Sequence, residues 1–491
     1  MLYTKHIIKI SGLILLMSGF CSCRKDFLEV VPKGVVILSK TSDYELVLND
    51  PDLNKLGHAP QIMMSDELAG YEPFYNPGAV SSGVIDIKAF EYKDDIYLPA
   101  DNISELTNLQ KQLYIYNKII NEVMGSEGGS DAQKKAIRAE ALASRAWVYF
   151  TLVNYYGKPY NATTATSDPG IFLVKDAEVT QTFFKRSTVR EAYDQIITDL
   201  TDALPVLPAR MTSRGRMSRL AAEAIFGKVY MNMQQFDKAL PLFSSAIAKF
   251  SNATIPVRLY DFNTVFGEGG AFFPADPFTG PNRNNLEMDE EVVYLKQFIN
   301  FYTFSISGFP LNPQTSNLFE EADLRLNFFT SSSYPPTGEV YPLNMKRGYG
   351  RLNNNMGINV PDIILLKAEC ESRTGDLPNA VKDLEAFRKT RMENTVADAE
   401  KIPANITSDK EALTKYILEE RIREYAGTGE RWWDMRRLSV DETYKSTVGM
   451  MHYVYDEIGK IVKSFPLKPE RLTFRLPPYI INANPGIEQN P

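Results

Sequence analysis

The sequence predicts a mostly α-helical protein, in which a large irregular, loop-rich segment interrupts a scaffold of paired, tetratricopeptide-repeat-like helices. Two observations predict the scaffold. Apolar residues recur at helical spacing in several long stretches, and two helix–turn–helix junctions carry an alanine where this repeat packs its helices closely. The third observation is the segment 251–360, which holds 12 Phe and 6 Tyr residues among Gly, Pro and Asn. A loop-rich segment of this length is usually functional or disordered, and its aromatic content argues against disorder.

The first 22 residues have the features of a secretory signal peptide. Two lysines precede a brief apolar run, Ile10–Met17, and small residues follow it. The run is shorter than the roughly 20 apolar residues that a membrane-spanning helix needs. Phe20-Cys21-Ser22-Cys23 resembles the lipobox of bacterial lipoproteins, and Cys23 fits best as the lipidated residue because Ser22 supplies the small residue before the cut. The alternative is an ordinary secretion signal followed by a coincidental cysteine.

Charge and cysteine usage limit the partners and the chemistry. The signal contains lysines but no acidic residue, so the mature body is more acidic than the full chain, whose formal net charge is −7. This balance, without a basic patch that carries interleaved aromatics, argues against nucleic acid as a partner. With Cys21 removed and Cys23 lipidated, Cys370 is a single thiol that cannot form an internal disulfide. Cys370 lies in an apolar helical pattern and is predicted to be a small core residue.

Seven stretches are predicted to be long helices, after a linker and a weak helix in residues 24–50. They are Ser104–Met124, Ser130–Tyr156, Thr188–Leu204, Leu220–Met233, Phe236–Phe250, Asp362–Arg373 and Leu377–Arg391. Ser130 with Gln133, and Thr188 with Glu191, are predicted to form capping boxes. Trp147 lies within the second helix and is predicted to belong to the core, with a binding role as the alternative.

Two pairs of these helices resemble tetratricopeptide units. Their junctions, Tyr230–Ala239 and Arg373–Ala380, read as the turn and the start of the second helix of such a unit. Ala239 and Ala380 are therefore predicted to be buried where the paired helices cross. The two units are not in tandem, because the segment 251–360 lies between them.

A run near the C-terminus carries a resemblance to a known family. Residues 418–438 contain Glu-Glu-Arg, a later Glu, and Gly-Glu-Arg-Trp-Trp-Asp-Met-Arg-Arg, and are similar to the C-terminal signature of the SusD/RagB family. Other pieces resemble the family in the same order along the chain: the lipobox with Asp26-Phe27-Leu28 and Pro32, Arg145–Pro159, Tyr193–Leu200, Leu366–Glu369 and Asn484–Pro491. The closing motif Phe474-Arg-Leu-Pro-Pro478 is looser than the family's usual Phe-Pro-Ile-Pro. Together these pieces cover essentially the whole chain.

The resemblance implies a lipoprotein of Bacteroidota-type outer membranes that is anchored through Cys23 and faces the cell exterior. Such proteins capture glycans, or peptides in some members, and act as a lid on a SusC-like TonB-dependent transporter during nutrient uptake. The implied organisation is a signal peptide over residues 1–22 and one SusD-like domain over residues 23–491. Within it, residues 104–250 and 361–438 form the helical scaffold, residues 51–103 and 251–360 the loop-rich binding region, and residues 439–491 a C-terminal segment.

The charged residues of the C-terminal signature are interpreted as structural. They give opposite charges at short helical spacings on both sides of a glycine turn, and bidentate Arg–carboxylate pairs would fix how this turn docks. These residues are Glu419, Glu420, Arg421, Glu424, Arg431, Asp434, Arg436 and Arg437. An active site made of these carboxylates is the alternative.

Catalysis finds little support in the sequence. The mature chain has two histidines, His58 and His452, with no companion motif, and Gly267-x-Gly269-Gly270 lacks the last glycine of a dinucleotide fingerprint. We therefore expect a binding protein without a cofactor or a metal, rather than an enzyme. A glycosidase carboxylate pair has no diagnostic spacing, so a glycoside hydrolase is a distant alternative. A pure interaction scaffold is the last alternative.

The ligand site is predicted in the two irregular segments, which the resemblance places together above the scaffold. Sugars present C–H patches and hydroxyls, so a site for them needs flat aromatic rings beside amides or carboxylates. The candidates are Asp66, Tyr71, Phe74, Tyr75, Tyr92 and Tyr97 in the first segment, and Phe272, Phe273, Asn284, Asn285 and Tyr302 in the second. The alternative is that most of these rings cover the helices as a secondary core.

Overall fold

Helices form the scaffold in the order that the sequence predicts, and the mostly helical, tetratricopeptide-like fold class is confirmed. The computed structural model describes residues 38–57, 60–75, 84–99, 101, 103–177, 184–209, 211–273, 275–276, 280–281, 285–300, 308–333, 339–349 and 353–491. Its helices are α1 (Thr41–Val47), α2 (Val84–Phe90), α3 (Ser104–Glu122), α4 (Asp131–Tyr156), α5 (Val189–Ala203), α6 (Arg219–Asn232), α7 (Phe236–Ile247), α8 (Phe262–Val265), α9 (Pro313–Ser316), α10 (Val360–Thr374), α11 (Leu377–Lys389), α12 (Ala404–Thr407), α13 (Lys410–Tyr425), α14 (Glu430–Ser439) and α15 (Pro478–Ala483).

The strands are short and lie mainly outside the scaffold. They are β1 (Gly70–Tyr71), β2 (Pro169–Phe172), β3 (Arg186–Thr188), β4 (Ala275–Asp276), β5 (Gly280–Pro281), β6 (Val292–Tyr294), β7 (Gln297–Ile299), β8 (Phe329–Thr330), β9 (Arg347–Gly348), β10 (Asn353–Asn355), β11 (Ile358–Asn359), β12 (Met451–Tyr455) and β13 (Ile461–Pro466). One three-stranded sheet has the order β1–β12–β13, in which β1 runs parallel to β12 and β13 runs antiparallel to it. Gly70 pairs with Val454 in this sheet, so a segment close to the N-terminal helices joins the C-terminal hairpin.

The helix ends follow the chemistry of their caps. The Ser130 side chain accepts a hydrogen bond from the Gln133 amide at 3.2 Å, which is half of the predicted capping box. Thr188 and Glu191 form the complete box. The helices predicted to reach residues 250 and 391 end earlier, at Ile247 and Lys389, because the chain leaves the helical hydrogen-bond pattern in a tighter final turn.

The two predicted helix pairs are present and packed. α6 packs on α7, α10 packs on α11, and α10 also contacts α7, so the two units stack although they are distant in sequence. Ala239 and Ala380 are fully buried at these contacts, as predicted. Gly227 of α6 lies so close to α7 that a Cβ atom there would be 2.5 Å from the Phe243 ring, which explains a glycine in the middle of a helix.

The core lies around α4, which is buried along most of its length between α3 and α5. Trp147 of α4 is 2% exposed, and Cys370 of α10 is fully buried with its thiol 3.1 Å from the Met231 sulfur. Both residues therefore belong to the core, as predicted. None of the helices in the described ranges combines the length and apolar character that a membrane span requires.

Short ladders join distant parts of the irregular segment 251–360 to each other. β6 pairs with β11 and β7 pairs with β10, and β11 leads directly into α10. Part of the segment has a small core of its own, in which Phe262, Phe272 and Phe328 pack edge to face with ring centroids 5.6–5.9 Å apart. Many of its aromatic residues thus serve packing rather than solvent exposure.

Candidate functional site

A cavity of about 350 Å³ lies between α13, β12 and the segment around α9. This "Asp66 cavity" is lined by Asp66, Leu68, Ala69, Asn312, Gln314, Thr315, Leu318, Lys415, Leu418, Glu419, Ile422, Arg431, Thr447, Gly449, Met450, Met451, Tyr453 and Tyr455. Its walls are largely apolar, with polar and charged groups of both signs among them. Its volume falls within the usual range of small-molecule sites.

One face of α13 forms a wall of the Asp66 cavity. Lys415, Leu418, Glu419 and Ile422 recur at the three- and four-residue spacing that brings side chains to the same side of a helix. Lys415 is exposed and Glu419 is half-buried, and neither makes an ion pair within the described part of the chain. The wall therefore presents a cation and an anion, one helical turn apart, next to apolar side chains.

The opposite wall is β12, in which alternate residues face opposite sides. Met451, Tyr453 and Tyr455 line the cavity, whereas His452 faces away and is fully buried. The His452 ring nitrogens lie 2.8 Å from the Phe90 carbonyl and 2.7 Å from the Ser65 carbonyl. Burial lowers the pKa of His452, so this residue is a neutral part of the core.

Asp66 is fixed by a set of hydrogen bonds at the edge of the cavity. Arg431 donates to its two carboxylate oxygens at 2.7 Å each, and the Gly449 amide donates at 2.6 Å. The Asn312 side chain donates to the Asp66 carbonyl at 2.7 Å. Asp66 therefore joins α14, the loop before β12 and the segment that leads into α9.

Glu67, the residue after Asp66, is completely buried. One of its carboxyl oxygens accepts from the Ser65 hydroxyl at 3.1 Å and from the Gly427 amide at 3.3 Å. The other oxygen has no hydrogen-bond partner among the described residues. Burial, with a contribution from the negative charge of Asp66, raises the pKa of Glu67 to about 8. Glu67 is therefore mostly protonated at neutral pH.

Two predicted aromatic residues lie close to the Asp66 cavity. Tyr71 is buried and makes an edge-to-face contact of 5.1 Å with Tyr341, and Phe74 is half-buried at 5.9 Å from Tyr71. Both rings pack in the small cluster that contains the cavity residues Tyr453 and Tyr455. The structure thus brings Asp66, Tyr71 and Phe74 together, although only Asp66 lines the cavity.

Four other predicted rings lie inside the protein. Tyr75, Tyr92, Tyr97 and Phe272 are each at most 6% exposed. The Tyr75 hydroxyl donates to Glu91 at 2.7 Å, the Tyr97 hydroxyl donates to Glu105 at 2.9 Å, and the Tyr92 hydroxyl lies 2.8 Å from the His452 ring. In this conformation these rings form secondary core, the alternative that the sequence left open, and their role in ligand binding stays a prediction.

The remaining predicted site residues lie elsewhere. Phe273 is 46% exposed and Asn285 is exposed, and neither lines the Asp66 cavity. Asn284, Tyr302 and the lipidation candidate Cys23 lie outside the described residues.

Sequence reasoning missed Tyr453, Tyr455 and the Asn312–Leu318 segment. The alternation of Met451, Tyr453 and Tyr455 indicates one face of a strand, but it does not show what that face covers. The sequence pattern groups Glu419 with the structural charges, but in the structure Glu419 lines the cavity. The signal that could have identified it is its i, i+4 spacing from Lys415, which places both side chains on the same face of the helix.

The other charges of the signature form buried ion pairs, in agreement with their structural interpretation. Arg421 donates hydrogen bonds to Asp434 and Asp362 at 2.8 Å, and Arg437 donates hydrogen bonds to both carboxylate oxygens of Glu369 at 2.7 Å. Glu420 accepts from Arg325, Arg388 and Arg423 at 2.6–2.8 Å. Burial alone would raise the pKa of Glu420, but the three guanidinium groups outweigh it and hold that pKa well below its usual range.

Arg436 departs from this pattern, because its partners are the Thr473 hydroxyl and backbone carbonyls, including that of Gly157 at 2.6 Å. Among the described residues, no group of three or more His, Cys, Asp and Glu side chains has the arrangement of a metal site. The charged residues of the signature thus hold the scaffold together around the cavity.

Two family models match the chain. One, described as starch-binding and associating with the outer membrane, matches residues 80–231, and the other, described as the SusD family, matches residues 341–491. The chain is 24% identical over 353 residues to SusD-like protein P38 of Formosa agariphila, which covers 61% of this chain and 65% of that protein, just under two thirds of its length. It is 23% identical over 370 residues to SusD-like protein P2 of the same organism, covering 67% of this chain and 71% of that protein.

Solved structures share the fold over nearly the whole chain. A SusD superfamily protein of Bacteroides thetaiotaomicron aligns with a TM-score of 0.67 at 19% identity, covering 92% of this chain and 100% of that structure. A SusD-like carbohydrate binding protein of Bacteroides vulgatus aligns with a TM-score of 0.63 at 15% identity, covering 92% and 98%. The matched sequence regions and the shared fold agree with the resemblance of residues 418–438, and the chain belongs to the SusD/RagB family.

Proposed function

We propose that this protein is a cell-surface lipoprotein that binds a glycan and delivers it to a SusC-like TonB-dependent outer-membrane transporter. The observation that carries the proposal is the Asp66 cavity, an apolar pocket with tyrosines and convergent polar groups in a chain of this family. The family description as starch-binding and associated with the outer membrane supports the ligand class and the location.

The chemistry of the Asp66 cavity suits part of a sugar chain. Tyr453 is half-buried, so part of its ring can contact the C–H face of a sugar. Asn312, Gln314, Lys415 and Glu419 offer donors and acceptors for hydroxyl groups. A volume of about 350 Å³ suits a short stretch of glycan rather than a long chain.

In this proposal, the role of each predicted site residue depends on where it lies relative to the Asp66 cavity. Asp66 fixes the polar edge of the cavity, and Tyr71 and Phe74 support the tyrosines from behind. Phe273 and Asn285, with Asn284 and Tyr302, would contact parts of the ligand that extend beyond the cavity. The buried Tyr75, Tyr92, Tyr97 and Phe272 would reach a ligand after the surrounding core opens.

The proposed location follows from the N-terminal segment. Residues 1–22 would direct export, and lipid on Cys23 would hold the domain at the outer membrane, facing the cell exterior. The proposed role is binding without catalysis and without a cofactor. Of the two carboxylates that line the Asp66 cavity, Asp66 already accepts hydrogen bonds from Arg431 and from the Gly449 amide, which supports a fixed structural role for it.

A peptide ligand is the second candidate. The observation that favours it is the pair Lys415 and Glu419, which would match the opposite charges of a short peptide. A glycan uses the same two side chains through hydrogen bonds only, so the ionic-strength dependence of binding separates the two ligands.

The test begins with a glycan array and a peptide library, followed by calorimetry on the best ligand. Tyr453→Ala and Glu419→Ala should each weaken binding about tenfold or more, because each removes a direct contact. Glu411→Ala is the matched control, since Glu411 is exposed on the same helix and does not line the cavity. Equal affinity for all three variants and the parent would place the site elsewhere, and product release from the glycan would reveal a hydrolase.

A further inference from the structure

A second, larger groove of about 770 Å³ lies on the helical scaffold. One wall is the segment 50–55 and the other is a face of α3. This "α3 groove" is lined by Asp50, Asp52, Leu53, Lys55, Thr107, Asn108, Gln110, Lys111, Gln112, Tyr114 and Ile115. It shares no lining residue with the Asp66 cavity.

Buried hydrogen bonds join the two walls of the α3 groove. The Gln112 side chain donates to the Lys55 carbonyl at 2.7 Å. The buried Lys296 ammonium donates to the Leu53 carbonyl, and it lies 3.2 Å from the Gln112 side-chain oxygen and 3.3 Å from the Tyr116 hydroxyl. One buried lysine side chain therefore bridges both walls, so the groove is formed before any ligand arrives.

Lys296 itself is enclosed by aromatic rings. Its nitrogen lies 4.9 Å from the ring centres of Trp147 and Tyr294 and 5.8 Å from that of Tyr116. This contact stabilises the ammonium at a site where its hydrogen-bond partners are neutral. Lys296 is thus a positioning residue for the floor of the groove and would not touch a ligand.

Several polar groups of α3 line the groove. Within the described part of the chain, the side chains of Asn108 and Gln110 form no hydrogen bond, and Lys111 forms no ion pair. Tyr114 is 40% exposed, so part of its ring is open to contact with a ligand. Two amides beside one exposed ring are the groups that a sugar chain needs, since amides pair with hydroxyls and the ring covers a C–H face.

The charges of the groove indicate which ligands it suits. Asp50 and Asp52 balance Lys55 and Lys111, and Lys55 is already paired with Asp52 at 2.7 Å. With its charges balanced, the groove offers no net attraction to a polyanion such as a nucleic acid or a heavily sulfated glycan. The lining therefore favours a neutral ligand that is rich in hydroxyl groups.

We propose that the α3 groove is a second glycan-binding site, which holds a neutral oligosaccharide with Tyr114 as the stacking platform and with Asn108 and Gln110 on its hydroxyls. The ligand class rests on the proposed function, whereas the location rests on the groove alone. A second site would let one molecule hold a long glycan at two points, which increases the effective affinity for polymers over short oligosaccharides.

The experiment is calorimetry on the full mature domain with a neutral probe, maltoheptaose, and with the neutral hits of a glycan array. The parent should bind two molecules of a short oligosaccharide, and Tyr114→Ala should bind one. Tyr453→Ala should also bind one, and the double variant should bind none. Leu46→Ala is the control, because Leu46 is 68% exposed and lines neither cavity.

The outcomes separate the two sites. If Tyr114→Ala and Asn108→Ala bind with the parent's stoichiometry and affinity, the α3 groove is not a glycan site, whatever Tyr453→Ala does. If binding is lost in Tyr114→Ala and retained in Tyr453→Ala, the groove stands and the Asp66 cavity is overturned. Binding at Tyr114 that requires a sulfated glycan and vanishes in high salt would refute the neutral ligand. A parent that binds no glycan overturns both proposals.

Discussion

Arg431 and Asp66 are 365 residues apart in the chain, yet the guanidinium donates two hydrogen bonds of 2.7 Å to the two carboxylate oxygens. Both side chains are less than 10% exposed. The pair joins the family signature on α14 to the irregular segment that begins near residue 51. It therefore sets where that segment, and the cavity beside it, lies on the scaffold.

Breaking this pair should strongly destabilise the protein. Arg431→Gln leaves a buried carboxylate without its partner, so the free energy of unfolding should fall by about 3–5 kcal/mol in urea titrations. Arg190→Gln is the control, because Arg190 pairs with Asp194 on the surface of α5 at a similar distance of 2.8 Å. The control should unfold like the parent. A loss in Arg431→Gln no larger than in the control would mean that the pair does not hold the segment in place.

The crossing points of the paired helices should not accept a large residue. Ala239→Arg and Ala380→Arg place a long charged side chain where the native alanine is fully buried. Overpacking and an unpaired buried charge together should cost about 3 kcal/mol or more. Ala248→Arg, at the exposed end of α7, should leave the melting temperature unchanged. Native-like melting of the two core variants would refute close packing at these alanines.

Glu67 should make the protein less stable as the pH rises. Its pKa is about 8 in the folded protein and close to 4.5 in the unfolded chain, so the folded state binds more protons between these values. Stability from this group is full below pH 4.5 and declines up to pH 8. Glu67→Gln removes the effect. The difference in free energy of unfolding, variant minus parent, should therefore increase from pH 5 to pH 8 by about 1–3 kcal/mol. A constant difference would show that Glu67 ionises normally.

Lys296 should make the protein more stable as the pH rises above 7. Burial lowers its pKa from 10.5 to about 7, so the unfolded chain binds more protons between pH 7 and pH 10.5. This group costs stability below pH 7, and the cost declines as the pH rises toward 10.5. The difference in free energy of unfolding, Lys296→Met minus parent, should therefore be about 1–3 kcal/mol larger at pH 7 than at pH 9. Using the difference cancels the titration of the buried tyrosines, and parallel pH profiles would contradict the shifted pKa.

The membrane anchor can be tested independently of the folded domain. Cys23→Ala should yield an unlipidated precursor or a form that is released from the membrane fraction, because the lipid on Cys23 is the proposed attachment. Fractionation and immunoblotting of cells that express the variant measure this, with Cys370→Ala as the control that keeps the anchor. A Cys23→Ala protein that stays firmly with the membrane would remove the lipobox interpretation.

Local sequence patterns determined where the long scaffold helices lie and several of their ends. The apolar spacing of α5, the Thr188–Glu191 box and the alanines of the paired helices each depend on residues within a few positions of one another. Because helix period and capping are local properties, they can be read from a single chain. The charges of the signature could also be interpreted as structural, since a group of opposite charges at helical spacing needs partners.

The tertiary structure alone decided which aromatic residues face solvent. Tyr75 and Tyr97 lie in an irregular segment that has no period, so the sequence does not show which side of the chain is covered. Their hydroxyls reach Glu91 and Glu105, which makes these rings part of the core, whereas Tyr453 contributes to a cavity that sequence patterns did not locate. The cavity forms where α13, β12 and the α9 segment meet, and such long-range contacts depend on how the whole chain packs rather than on any local pattern.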